Sequence, residues 1–459
     1  MASRAPLMKG EQSYATVTDH ISSTLLDRRT PRVLWYGFAL FFLMAMGFLY
    51  GVTYLFVQGV GVFGLNIPVA WGFPIINTVW WIGIGHAGTL ISAILLLLNQ
   101  RWRTSINRFA EAMTIFAASM AGLFPILHLG RPWFAYWLIP YPNTMGLWPQ
   151  WRSPLIWDFF AIATYLTVSA LFWYMGMIPD LATLRDRAKN PWSQGIYGAL
   201  SLGWRGSAIH WHRYQTAYLL LAGLATPLVV SVHSIVALDF AVAITPGYHS
   251  TIFPPYFVAG ALYSGFAMAL TIAIPLRAVF KLDDFITLRH LNVMGKVMLA
   301  AGMIVAYGYI IEVFIAYYSG DEYHRYMMIN RAMGPYAWWF WGMLICNVVF
   351  GQLLWFRWVR TTPVVLFFLS IVINVGMWLE RYVIVITSEH RGFLPSMWDT
   401  VSSTPWDWLV LFGSIGLFFT LMFVFVRLLP VISMAEMREL VHEQHESGAG
   451  AHGSGKESP

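Results

Sequence analysis

The chain of 459 residues contains one cysteine, Cys346, and it lies inside an apolar run. That excludes a disulfide framework, a thiolate iron–sulfur site and a CxxCH haem attachment within the sequence. Charge is scarce as well. Asp, Glu, Lys and Arg make up 11% of the residues, against roughly a quarter in soluble domains. Neither GxxxxGK[ST] nor GxGxxG falls in a soluble context, so nucleotide chemistry finds no support. What the chain has instead is apolar and aromatic surface. Hydrophobic residues reach 58% and Phe, Trp and Tyr 17%, with 23 Trp. Mean hydropathy is +0.59. These values define a polytopic membrane protein, with aromatics suited to interfacial belts and flat-ring ligands.

A spanning helix needs about 20 mostly apolar residues. Ten runs qualify: 33–58, 72–98, 107–129, 154–177, 212–235, 252–279, 292–318, 335–358, 362–386 and 405–429. None alternates apolar and polar residues as a barrel strand does, so helices are expected. The basic residues choose the orientation. With ten spans and the N-terminus inside, 22 of the 28 Lys and Arg fall in inner segments. Only Arg131, Arg152, Arg325, Arg331, Arg381 and Arg391 fall outside. The positive-inside rule then places both termini in the cytoplasm. The expected fold is all-α, with two four-helix bundles (spans two to five and six to nine) and spans one and ten flanking them. Residues 1–32 form an inner segment without an apolar signal region, 33–429 the membrane domain, and 430–459 a cytoplasmic tail. Within that tail, 433–446 reads as a short surface helix and 447–459 as disordered.

This topology carries ionisable groups to one outer level. The third span ends at His128, and Arg131 follows it. The fourth span begins near Asp158, beside Trp157. The fifth ends at His233, with Asp239 just beyond, and the ninth carries Glu380 and Arg381 toward its outer end. Such groups are expensive beside lipid and mark functional sites. A quinol pocket needs hydrogen-bonding groups that accept two protons, an apolar slot and flat walls. His128 suits the first need because imidazole titrates near neutral pH. Asp158 and Asp239 are candidates for the second proton, Arg131 and Arg381 for holding a carboxylate. Trp133, Phe134, Tyr136, Trp137 and Trp157 are candidate walls. Each has a plainer reading. His128 suits a helix C-terminus and Asp158 a first turn. Arg131 reads as an interfacial anchor, Asp239 as a loop residue, Glu380–Arg381 as a structural pair, and the aromatics as a belt.

A second group lies deeper. His86 is near the middle of span two, Glu111 in the inner part of span three, and Glu312 within span seven. These are candidates for a proton path, or for single polar cross-links between helices. Haem ligation by paired histidines is disfavoured, because His86 has no evident partner in the sequence and no metal site is expected. Gly83, Gly85 and Gly88 around His86 hint at a broken helix of the transporter kind.

The run from Gly85-His86-Ala87-Gly88 through His128-Leu-Gly-Arg-Pro132 to Trp157-Asp158 resembles the NrfD/polysulfide reductase membrane-subunit family. Within the family the chain is most similar to the branch found in bacterial alternative complex III. The resemblance covers nearly the whole chain. It implies a quinol site at the outer face, on His128, Asp158, Asp239 and Arg381, with His233 and Glu380 close by. It also implies a bacterial inner-membrane location and menaquinol or a related quinol as electron donor. Electrons would pass to a peripheral iron–sulfur or molybdopterin-like subunit and on to c-type haem subunits. A sister NrfD-like membrane subunit is a further implied partner. No haem or cluster is expected in this chain, and protons would be released outward.

Overall fold

The computed structural model describes residues 7–10, 12–26, 31–139 and 151–453. The described residues contain helices and no strand. In chain order the main helices are α1 (Tyr14–Leu26), α2 (Arg32–Gln58), α3 (Phe73–Leu97), α4 (Asn107–His128), α5 (Pro154–Arg187), α6 (Pro191–Leu200) and α7 (Ala208–Ala241). They continue as α8 (Phe253–Val279), α9 (Leu288–Tyr318), α10 (Glu322–Met333), α11 (Ala337–Trp355), α12 (Pro363–Glu389), α13 (Pro405–Leu428) and α14 (Met434–Gly453). Ten of them, α2 to α5, α7 to α9 and α11 to α13, are long and apolar enough to cross a membrane. This is an all-α, multi-pass integral membrane protein, as composition and apolar run length require.

Helix is the form in which an apolar run satisfies its own backbone away from water. The starts are chemically marked. Proline stands in the first turn of α5, α8, α12 and α13, where its missing N–H costs nothing. Thr404 and Asp407 form a reciprocal capping box at the start of α13. Two helices run furthest past their expected ends. α5 continues to Arg187 and α7 to Ala241. Asp239 is therefore a helical residue and not a loop residue, and His233 lies two turns inside its helix.

The buried centre is made by α3 and α8. α3 packs against α4, α7, α8, α12 and α13, and α8 against α7, α9 and α12. Glycine allows this closeness. A Cβ on Gly88 would run into the Ala110 carbonyl, and one on Gly265 would come within 2.9 Å of the Ile84 carbonyl. The glycines around His86 thus serve packing. α3 is unbroken there, with a π-helical stretch at Leu90–Ile94, a feature that often accompanies functional sites. α4, α5 and α7 follow one another around the far side of α3, and α9, α11 and α12 around α8. α2 and α13 form a separate pair, joined where Gly413 and Gly416 meet Phe48 and Met44.

α1 and α14 pack together on one face of the protein. α14 departs from the expected tail. It is no loose surface helix, because Met434, Met437, Leu440 and Val441 are buried. It lies over the ends of α4 and α5. Its helix extends to Gly453, into the stretch read as disordered; residues 454–459 lie outside the described residues.

Gly88→Val drives a branched side chain into backbone, so the folded state should lose about 3 kcal/mol or more. Gly223, which meets no atom within 4 Å, should accept alanine without loss. Thermal unfolding of the two purified variants in mild detergent checks the contrast.

Candidate functional site

The functional groups fall into three layers along α3, α4, α5 and α7. The layer farthest from the termini holds His128, Asp158 and Asp239. His128 is the last residue of α4, Asp158 the fifth of α5, and Asp239 lies two residues before the end of α7. α5 packs on both α4 and α7. The Asp158 and Asp239 carboxyls are neighbours. Two carboxyls placed together bind and release protons as a unit. One oxygen of each, and Nδ1 of His128, are buried without a hydrogen-bond partner among the described residues. Buried polar atoms are seldom left so.

The middle layer was not legible as such. From Asp239 to His233 is six residues of α7, about 9 Å of rise, so His233 lies well below the acid pair. It meets His86 there. The two rings are edge to face, with centroids 4.6 Å apart and planes at 64°. His86 therefore has the histidine partner that the sequence did not reveal. The rings touch directly, leaving no gap for a haem plane between them. His86 Nδ1 donates to the Ile82 carbonyl at 2.6 Å, which leaves Nε2 as the ring's other nitrogen. That Nε2 and both nitrogens of His233 have no hydrogen-bond partner among the described residues. Arg381 stands by. Its guanidinium carbon is 5.0 Å from the centroid of Phe257, whose ring is 5.9 Å from His233. Gly260 leaves room for it, since a Cβ there would be 3.3 Å from Nη2. Arg381 pairs with Glu380, and Glu380 Oε2 accepts from the Tyr309 hydroxyl at 2.5 Å.

Below the histidines, Tyr165 stacks on His86 at 5.3 Å and 21°. Its hydroxyl lies 2.8 Å from Thr89 Oγ1 and donates to the Gly85 carbonyl at 3.0 Å. Thr114 donates to the same carbonyl at 2.7 Å. One turn farther along α4 is Glu111, which opens the third layer. Glu111 accepts from Arg108 at 2.9 Å and from Tyr218 at 3.1 Å. Arg108 also lies 3.5 Å from Asp180. Glu436 of α14 closes the layer, 2.9 Å from Arg103 and accepting from Asn107 at 3.0 Å. The backbone N–H of Ala435 donates to Asp180 at 2.9 Å. Arg103 and Arg108 had counted only as loop charges. The signal available in the sequence was the Arg108–Glu111 spacing of three, a helical neighbour pair. Nothing in the sequence pointed to Glu436.

Glu312 belongs elsewhere. It is six residues from the end of α9 and pairs with Arg331 of α10 at 2.5 Å. Arg331 also donates to Thr387, Ser388 and the Gly247 carbonyl. The structure therefore separates Glu312 from the His86–Glu111 line. It faces instead a cavity of about 290 Å³ shared with Tyr256, Tyr309 and Glu380. Arg131 is exposed. Trp133, Tyr136, Trp137 and Trp157 are 38–58% exposed, and Trp157 donates to the Trp151 carbonyl at 2.7 Å. Their positions match an interfacial belt.

Residues 61–391 match the family described as Polysulphide reductase, NrfD. The chain belongs to this family of membrane proteins. The chain is also similar to two named proteins. One, named as the C subunit of the selenate reductase of Mesobacillus selenatarsenatis, is 24% identical over 417 residues, covering 86% of this chain and 94% of that protein. The other, named as a dimethyl sulfoxide reductase membrane subunit of Halobacterium salinarum, is 27% identical over 212 residues. That match spans 46% of this chain and 44% of the Halobacterium protein. Neither is a subunit of alternative complex III by name.

Breaking the buried Arg103–Glu436 pair by Glu436→Ala strands a guanidinium, and should cost about 3–5 kcal/mol. Glu439→Ala removes the acid 3.9 Å from Arg101, with both side chains about half exposed, and should cost under about 1 kcal/mol. Denaturation midpoints of the two variants in detergent check this.

Proposed function

We propose that the chain is the membrane subunit of an oxidoreductase complex that exchanges electrons with the quinone pool. The observation that carries this reading is three buried atoms on adjoining helix ends that lack a hydrogen-bond partner among the described residues, His128 Nδ1, Asp158 Oδ1 and Asp239 Oδ1. A quinol offers two hydroxyls, and its oxidation sheds two protons and two electrons. The His128 imidazole takes one proton and the Asp158–Asp239 pair the other. The electrons pass to a redox centre in a peripheral subunit. Run in reverse, the same groups deliver two protons to a quinone. Both similar proteins are named as subunits of reductases, which favours a peripheral partner of the molybdopterin and iron–sulfur type. Arg381 holds the lower wall of this site through Phe257 and His233.

A second reading changes the electron acceptor: quinol oxidation in the manner of ActC of alternative complex III. Its support is the overall resemblance in length, ten spans and tail. It carries with it c-type haem subunits and a sister NrfD-like membrane subunit as partners. On either reading His86, Tyr165 and Glu111 form a line on which protons cross toward the face bearing the termini. The unpartnered nitrogens of His86 and His233 are the supporting observation.

Asp158→Asn should lower quinol or quinone turnover of the intact complex about 10²-fold or more, with all subunits retained. Turnover equal to the parent would return Asp158 to the role of a helix-start residue. His86→Phe should leave turnover with an artificial acceptor nearly intact, while abolishing any proton uptake by proteoliposomes that accompanies it. Unchanged proton uptake would remove His86 from the path.

A further inference from the structure

A groove of about 660 Å³ separates the α2–α13 pair from α8 and α12. At one end it is bounded by Trp80, Trp378 and Trp408, at the other by Val33, Val279 and Val426. Between Trp408 and Val426 lie 18 residues of α13, or about 27 Å, nearly the depth of a bilayer core. The walls are almost wholly apolar. The mouth lies beside Val33, Val279 and Val426, and each of these has a base within two residues of it in the sequence. Arg32 precedes Val33 and is exposed. Arg277 and Lys281 flank Val279, and Arg427 follows Val426. Two of these are engaged by the protein. Arg277 pairs with Asp283 at 2.5 Å and donates to the Ile286 carbonyl. Arg427 donates to the carbonyls of Thr24 and Leu25. Lys281 is exposed and holds a φ of +53°, a conformation that glycine or asparagine adopts more cheaply.

We propose that this groove is a binding site for an anionic phospholipid. The acyl chains lie along α13, and the phosphate sits at the mouth with Arg32 and Lys281. An apolar groove alone selects nothing in a membrane, because lipid tails are as apolar as the side chains that line it. Selection must come from the headgroup, and basic pockets between helices at the cytoplasmic side are suited to acidic ones. The positive rim is the complement on this chain, and an acyl chain is the filling that lets α2 and α13 stand away from α8 without an empty cleft. The site is remote from His128, Asp158 and Asp239, so its existence is independent of the redox reading.

The test is lipid analysis of the full chain, purified in mild detergent and washed extensively, by mass spectrometry. The expected result is retention of phosphatidylglycerol or cardiolipin at about one per chain, enriched several-fold over the source membrane. Arg32→Gln with Lys281→Gln should lose that enrichment while eluting as a folded monodisperse protein. Ile415→Trp, which fills the groove, should lose retained lipid of every class. Adding phosphatidylglycerol micelles back to stripped protein should raise the unfolding temperature, and phosphatidylcholine should not. Retained lipid of bulk composition, equal in parent and double variant, overturns the proposal. So does a quinone or a partner's helix recovered in the groove, or a stabilisation that ignores headgroup charge.

Discussion

The close approach of α3 to its neighbours is the contact on which the functional layers depend. Gly88 sits against the Ala110 backbone, and Gly265 against Ile84 and Ala87. Only hydrogen atoms separate the helices at these points, so His86 is carried inward until its ring meets both His233 and Tyr165. A larger residue at either glycine would push α3 outward and pull the two histidines apart. The same packing buries the polar groups there, and this makes them informative. In an apolar interior an ionisable side chain persists where it is paired or where it has a use. Arg108, Arg331 and Arg381 are paired with acids. Among the buried atoms without a hydrogen-bond partner in the described residues are nitrogens of His86, His128 and His233 and one oxygen each of Asp158 and Asp239.

That division between paired and unpaired groups gives the two halves of the membrane domain different characters. Along α9, α10 and α12 the charges close on themselves. Arg331 reaches Glu312, Thr387, Ser388 and Gly247, and Glu380 is held by Tyr309 and Arg381. Along α3, α4, α5 and α7 they form a column instead, from the acid pair through the histidines to Glu111 and Asp180. α14 covers its terminal end, with Glu436 reaching the column's arginine Arg103 and Ala435 its Asp180. The C-terminal segment is thereby part of the buried electrostatics of the bundle. Its burial follows from Met434, Met437 and Val441, an i, i+3, i+7 stripe that faces the helix ends.

Much of this was legible in the sequence, and for identifiable reasons. The ten spans follow from apolar run length, because a bilayer sets that length. His128 and Asp158 were legible because each lies at a span end, where a small boundary error does not change depth. His233 was misplaced in depth for the opposite reason. Reading α7 as ending at 235 put His233 at the surface, whereas the helix runs to Ala241 and lowers it two turns. With that error the His86–His233 pair was hidden, since depth is what makes two distant residues candidates for contact. Glu312 was misread because its partner, Arg331, comes from a helix too short and too polar to count as a span. Glu436 was missed because a charged, short amphipathic helix looks alike whether it faces solvent or the ends of other helices. Lateral packing, unlike depth, leaves no periodic trace in a single chain.

The most direct measurement is a structure of the assembled complex with a tight quinone-analogue inhibitor bound. The account requires the ring of the analogue between His128 and the Asp158–Asp239 pair, with its polar atoms on the nitrogen and oxygens that lack partners. An analogue seated elsewhere, as in the cavity beside Glu312 and Arg331, with His128, Asp158 and Asp239 closed upon each other, would contradict it.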